Sequence, residues 1–156
     1  MMDIVTREEE IFVGIPCESD WQGLWEVMPN TWRSFFEKYE NIPHRKAHWM
    51  CDLSLAVNQD KYLQLVSCPV EQLAALPEGM CAVKLAAQSY LYHPHTGELS
   101  HIAQCFAAMY QFAEQHHIPT TALKLDMGYT PQGKEACHHL YIALSAKAQW
   151  EWLSIP

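Results

Sequence analysis

The sequence predicts an α+β fold built from two pseudo-symmetric strand-helix-strand-strand units, which form antiparallel sheet carrying two helices with a central cleft. Three observations predict it. Apolar residues recur at helical spacing in two stretches and two only, runs of strand-like alternation flank both, and the order strand, helix, strand, strand occurs twice along the chain. The halves span about residues 4–70 and 80–147 of a single domain, 1–156, with a tail at 148–156.

The first unit opens with EIFVGIPC at 10–17, a short apolar strand. Trp21, Leu24, Trp25, Met28, Trp32, Phe35, Phe36 and Tyr39 then form one apolar stripe at helical spacing, which must face a core. Pro29 interrupts that stripe and marks either a kink or the first turn of the main helix. Two strands follow, HWMCDLSLAV at 48–57 and YLQLVSCPV at 62–70, joined by a turn at 58–61. A turn centred between Gln59 and Asp60 would set Cys51 opposite Cys68.

The second unit repeats the order after the polar, proline-containing segment 71–79. MCAVKLAAQSYLYH at 80–93 reads as one long strand and the loop HPHTG follows it. A helix then carries Leu99, Ile102, Phe106, Met109, Tyr110 and Ala113 on one face, ending near His116 and His117 before Pro119. Strands at 121–130 and 138–147, across a loop at 131–137, complete the unit. The tail, with Trp150 and Trp152, is suited to covering an edge, closing the cleft or making a dimer contact.

Composition excludes several classes of function. Eighteen acidic against ten basic residues give a net charge of −8, and no basic cluster exceeds Arg45-Lys46. A phosphate-tracking surface needs the opposite balance, so direct nucleic-acid binding is not expected, whereas a cationic ligand or a basic partner is favoured. The first residues, MMDIVTREEE, carry no apolar core of a signal or anchor, so no membrane association and a cytoplasmic location are expected. The six cysteines show no CxxC pair and are read as reduced packing thiols. Nine histidines include His93 and His95, but neither HExxH nor a Cys/His spacing occurs, so no metal and no other cofactor is expected. GxSxG and glycine-rich phosphate loops do not occur either.

One residue asks for an explanation. TALKLDMGY at 121–129 alternates, with Leu123, Leu125, Met127 and Tyr129 on one face and Ala122, Lys124, Asp126 and Gly128 on the other. Aspartate is depleted in strands. Asp126 is either a solvated neighbour of Lys124 or a carboxylate set at the floor of a cleft.

The segments IFVGIP, LPEGM, QSYLYHPHTG, AAMYQF and LYIAL, in that order over roughly residues 4–146, resemble the GyrI-like, or AraC-type effector-binding, superfamily. The resemblance implies a cleft that takes bulky, often cationic and aromatic compounds. It implies a glutamate anchor on the penultimate strand, followed by a hydrophobic residue and a tyrosine. The matching positions here are Asp126, Met127 and Gly128, so the carboxylate is one methylene shorter and a glycine stands at the tyrosine position. Tyr90, Tyr110 and Tyr141 match positions that line the family cleft, and Trp49 joins them as a fourth aromatic candidate.

The two units use up the 156 residues, which implies a stand-alone form rather than one fused to a DNA-binding module. Stand-alone relatives include drug-binding proteins, a gyrase-inhibiting protein and hydrolases of cyclopropane-bearing DNA alkylators. The leading expectation is therefore binding of a lipophilic, cationic small molecule, in sequestration or in sensing linked to transcription, without catalysis. The alternatives are a hydrolase using Asp126 with Tyr141 or Trp49, and an inhibitor acting on a protein partner through its surface.

Overall fold

A computed structural model describes residues 2–133, 137–145 and 147–154. Among the described residues there are nine strands in one sheet and two α-helices: β1 Asp3–Arg7, β2 Glu10–Ser19, α1 Trp21–Lys38, β3 Met50–Asn58, β4 Lys61–Val70, β5 Cys81–Leu85, β6 Gln88–Thr96, α2 Ile102–Gln115, β7 Lys124–Tyr129, β8 Cys137–Ala143 and β9 Trp150–Leu153. The strand order is β1-β6-β8-β7-β3-β4-β2-β5-β9, with antiparallel neighbours throughout.

This order contains the two-fold repeat. The blocks β6-β8-β7 and β3-β4-β2 meet at the β3–β7 pair, and each block is strand, helix, strand, strand in sequence. Each unit also has a leading strand, β1 or β5, and these are exchanged: β1 pairs with β6 of the second unit and β5 with β2 of the first. The registers match in detail. Cys51↔Ser67, Asp52↔Val66 and Leu53↔Leu65 in the first hairpin correspond at a constant offset to Leu125↔Tyr141, Asp126↔Leu140 and Met127↔His139 in the second.

The stretch expected as one strand at 80–93 is two, β5 and β6, and they lie in different halves of the sheet. The HPHTG segment, expected as a loop, carries β6 on to Thr96. The loop expected at 131–137 runs through 134–136, and the strand and tail expectations include 146, 155 and 156; these positions lie outside the described residues.

α1 starts where Asp20 accepts a hydrogen bond from the Gly23 amide at 2.7 Å, satisfying one orphan donor of the first turn. It runs unbroken through Pro29, whose missing N–H leaves the Trp25 carbonyl without its helical partner. Pro29 therefore lies inside the helix and not in its first turn. α2 follows a short 3-10 turn at Leu99–His101 and buries Ile102, Phe106, Met109 and Ala113.

Both helices pack on the same face of the curled sheet. α1 covers a core that includes Val13, Phe35, Met50, Val66 and Cys68, and α2 one that includes Leu91, Phe106, Met109, Leu140 and Ile142. The other face closes on itself around Phe12, Leu53, Leu65, Tyr90, Leu125 and Tyr141. The β3–β4 turn is centred at Gln59-Asp60 as expected, with Asn58 opposite Lys61, but a bulge between Ser54 and Ala56 shifts the register beyond it. Cys51 therefore faces Ser67, not Cys68, and the two thiols sit in cores on opposite faces. All six cysteines are free. No helix among the described residues is long and apolar enough to cross a membrane.

Candidate functional site

Between α1 and α2, above the β3–β7 junction, lies a cavity of about 630 Å³. That is within the usual range for sites that enclose a drug-sized molecule. α1 supplies one wall with Trp21, Trp25, Met28 and Trp32, and α2 the other with Ile102, Phe106 and Tyr110. Trp21, Trp25 and Leu99 are 51, 67 and 45% exposed, which sets an apolar mouth at the N-terminal ends of the two helices.

The floor is polar, and alternation makes it so. Strand residues that turn away from the Leu53/Leu125 core point between the helices: Asp52 and Ser54 on β3, Gln64 on β4, Lys124 and Asp126 on β7. Asp52 and Asp126 are direct cross-strand partners at the centre of the pseudo-symmetry. Each is held by a side chain from the next strand outward. Gln64 Nε2 donates to Asp52 Oδ1 at 3.0 Å and to Ser54 Oγ at 2.9 Å. His138 Nδ1 lies 2.7 Å from Asp126 Oδ1, and both side chains are at least nine-tenths buried. Gln64 and His138 are related by the same offset as the two aspartates.

Asp126 has a second partner that the alternation of TALKLDMGY placed on the wrong face. Cys51 pairs with Met127 but Met50 pairs with Tyr129, so Gly128 is an extra residue in a bulge, at φ +136°. The bulge returns Tyr129 to the cavity face, where its hydroxyl donates to Asp126 Oδ2 at 2.5 Å and its ring lies 4.4 Å from that of Trp32. A glycine inside a strand pattern is the signal that could have found this.

Like charges brought together in a dry place disfavour ionisation. Burial, and then the Asp126 charge, push the Asp52 carboxyl up to about 7, against the opposing pull of Gln64 and Lys124. Burial, with the nearby aspartates, raises the Tyr129 hydroxyl well above its ordinary value. Burial lowers the Lys124 ammonium, with Asp52 opposing.

Among the candidates read from the sequence, Asp126 and Tyr110 line the cavity, and Tyr110 also donates to the Thr121 carbonyl at 2.8 Å. Tyr90, Tyr141 and Trp49 belong to the core on the opposite face, where Arg7 donates to the Tyr141 hydroxyl at 3.0 Å. Sequence reasoning missed Asp52, Gln64, Tyr129 and His138 in this role. Among the described residues no group of three or more His, Cys, Asp or Glu converges as metal ligands.

Residues 3–144 match the family model of the integron-associated effector binding protein. No curated protein matches the sequence. Among solved structures, the chain is similar to a protein bound to tetraphenylphosphonium, at 9% identity over 95% of this chain and 96% of that one, with a TM-score of 0.75. It is similar to an integron cassette protein from the mobile metagenome of Vibrio cholerae, at 13% identity over 92% and 95%, with a TM-score of 0.59. It is similar to a hydrolase from Listeria innocua, at 10% identity over 92% and 91%, with a TM-score of 0.58. At these identities the likenesses establish a common fold.

Proposed function

The chain belongs to the integron-associated effector binding proteins, within the GyrI-like effector-binding superfamily, and on that premise we propose that its cavity takes a bulky, lipophilic cation. The observation that carries this reading is the Asp52–Asp126 pair: a half-buried and a buried carboxyl face one another at the floor of an aromatic cavity. A cation placed there relieves their repulsion and gains from the surrounding rings, by about 2 kcal/mol where a ring contact is desolvated. The exposed tryptophans at the mouth suit uptake of an aromatic compound from water. Sequestration or sensing follows from binding alone, and a link to transcription would run through a partner that reads the occupied state.

Tetraphenylphosphonium, the ligand of a protein with the same fold, is the natural probe. At a hundredfold excess over Kd a ligand bound only to the folded state adds about 2.7 kcal/mol, which raises the melting temperature of a domain this size by roughly 5 to 10 °C. Asp126→Asn should weaken the phosphonium by roughly 2 to 5 kcal/mol while a neutral triarylphosphine oxide loses little. Equal losses for the two compounds would mean that shape, not charge, selects the ligand. No shift with any lipophilic cation would overturn the reading.

Hydrolysis is the second reading, favoured by one observation. Asp52 titrates near neutrality beside Asp126, which holds a histidine and a tyrosine, so the floor has a proton donor and a hydrogen-bonded carboxylate side by side. Turnover of an electrophilic substrate, lost in Asp52→Asn, would favour it over binding.

A further inference from the structure

Lys124 opens β7 and points to the same face as Asp126 two residues on, into the cavity. Its ammonium is unusually placed. Among the described residues no carboxylate lies within 4.0 Å of it and no hydrogen bond reaches it, although it stands in a mostly apolar, desolvated setting. What it does contact is rings: the Nζ sits 5.2 Å from the centroid of Phe106 and 5.9 Å from that of Tyr110, successive-turn neighbours on the α2 wall. Two of the four cation–ring contacts among the described residues are thus made by one lysine, both with rings that line the cavity. Among the described residues no such cation lies over the tryptophans of the α1 wall.

We propose that Lys124 is a selectivity residue: its ammonium occupies the cation subsite on the Phe106 and Tyr110 rings, and a ligand cation must displace it to bind. The proposal rests on the cation-binding reading above and adds a cost to it. A ring face holds one cation at a time, and two positive charges in a cavity of about 630 Å³ repel each other in a medium that screens poorly. The empty protein therefore carries a tethered competitor. Only ligands whose aromatic bulk gains enough on the α1 wall displace it, so small hydrophilic cations are rejected and large lipophilic ones retained. Lys124 has somewhere to go, because the carboxyl that acts on it most strongly is Asp52, on the neighbouring strand.

The test has two arms. In ligand-free protein labelled with ¹³C-lysine, the Lys124 ε-methylene protons, identified by their disappearance in Lys124→Met, should resonate upfield of the other lysines and move back in Phe106→Leu. An ordinary lysine shift in the wild-type chain would overturn the proposal whatever the ligand results. In the second arm, Lys124→Met should bind the phosphonium probe roughly tenfold tighter than wild type, and Lys124→Arg should not. Unchanged or weaker binding by Lys124→Met, with the wild type binding normally, would overturn the proposal alone. Binding by neither protein would sink the cation-binding reading and the competition with it.

Discussion

Asp52 and Asp126 stand directly opposite one another where β3 pairs with β7, at equivalent positions of the two pseudo-repeats, yet their partners differ. Asp126 has His138 and the Tyr129 hydroxyl, while Asp52 has the amide of Gln64. A histidine that takes a proton can balance a carboxylate and an amide cannot. The fold is thus nearly symmetric at its centre and the electrostatics are not. Asp52, held by a neutral amide, is pushed up to about 7 by burial and by the Asp126 charge.

The first consequence is for stability. Asp52 titrates at about 7 when folded against 3.8 as an ordinary aspartate, so between these values the folded chain holds a proton that the unfolded chain releases. Its contribution is fully present below pH 4 and is lost as pH rises through 7. Asp52→Asn removes this linkage and keeps an acceptor for Gln64. The variant should therefore gain on the wild type by roughly 1 to 4 kcal/mol between pH 4.5 and pH 8 in urea unfolding. A constant difference across that range would mean that Asp52 ionises in the folded chain as it does in water.

The bulge at Gly128 makes a second prediction. A Cβ there would lie 2.9 Å from the Cys137 carbonyl oxygen and 3.3 Å from the His138 Cα, in a backbone conformation that L side chains rarely adopt. Gly128→Ala should destabilise the protein by roughly 1 to 3 kcal/mol in urea unfolding and, by displacing Tyr129, weaken cation binding as well. An unchanged midpoint would show that the strand closes without the bulge.

What could be read from the sequence was what alternation and helical spacing carry. The parity of KLDM put Lys124 and Asp126 on one face and Leu125 and Met127 on the other, and the structure keeps that division. Parity ends where a bulge intervenes, so the alternation sets Tyr129 on the same face as Leu125 and Met127 and leaves a glycine, Gly128, at the family's tyrosine position. The bulge near Leu55 likewise moved Cys51 off Cys68. Asp52 was legible in kind but not in meaning, because an Asp and a Ser alternating with leucines also describe a solvent face. Only the register match to Asp126 distinguishes it, and that match needs the long-range β3–β7 pairing.

The pairing of β1 with β6 and of β5 with β2 was illegible for the same reason: strands of five residues carry too little pattern to name a distant partner. Tyr90 and Tyr141 are candidates through the family resemblance. Their faces follow from pairing: Tyr141 stands opposite Leu125, on the side of the sheet away from Asp126. A tyrosine opposite an inward leucine packs against it.

The central claim, that a cation sits over the Asp52–Asp126 pair, is tested most directly by the proton it displaces. A positive charge at that point returns Asp52 toward its ordinary ionisation, so at pH 6, where Asp52 of the empty protein is mostly protonated, binding must release a proton to the buffer. Isothermal titration of the phosphonium probe in two buffers of different ionisation heat measures that number. The account predicts release approaching about one proton per ligand at pH 6, falling toward zero by pH 9 and absent in Asp52→Asn, with affinity rising through pH 7. Binding whose heat is independent of the buffer at pH 6, or proton release that survives Asp52→Asn, would contradict it.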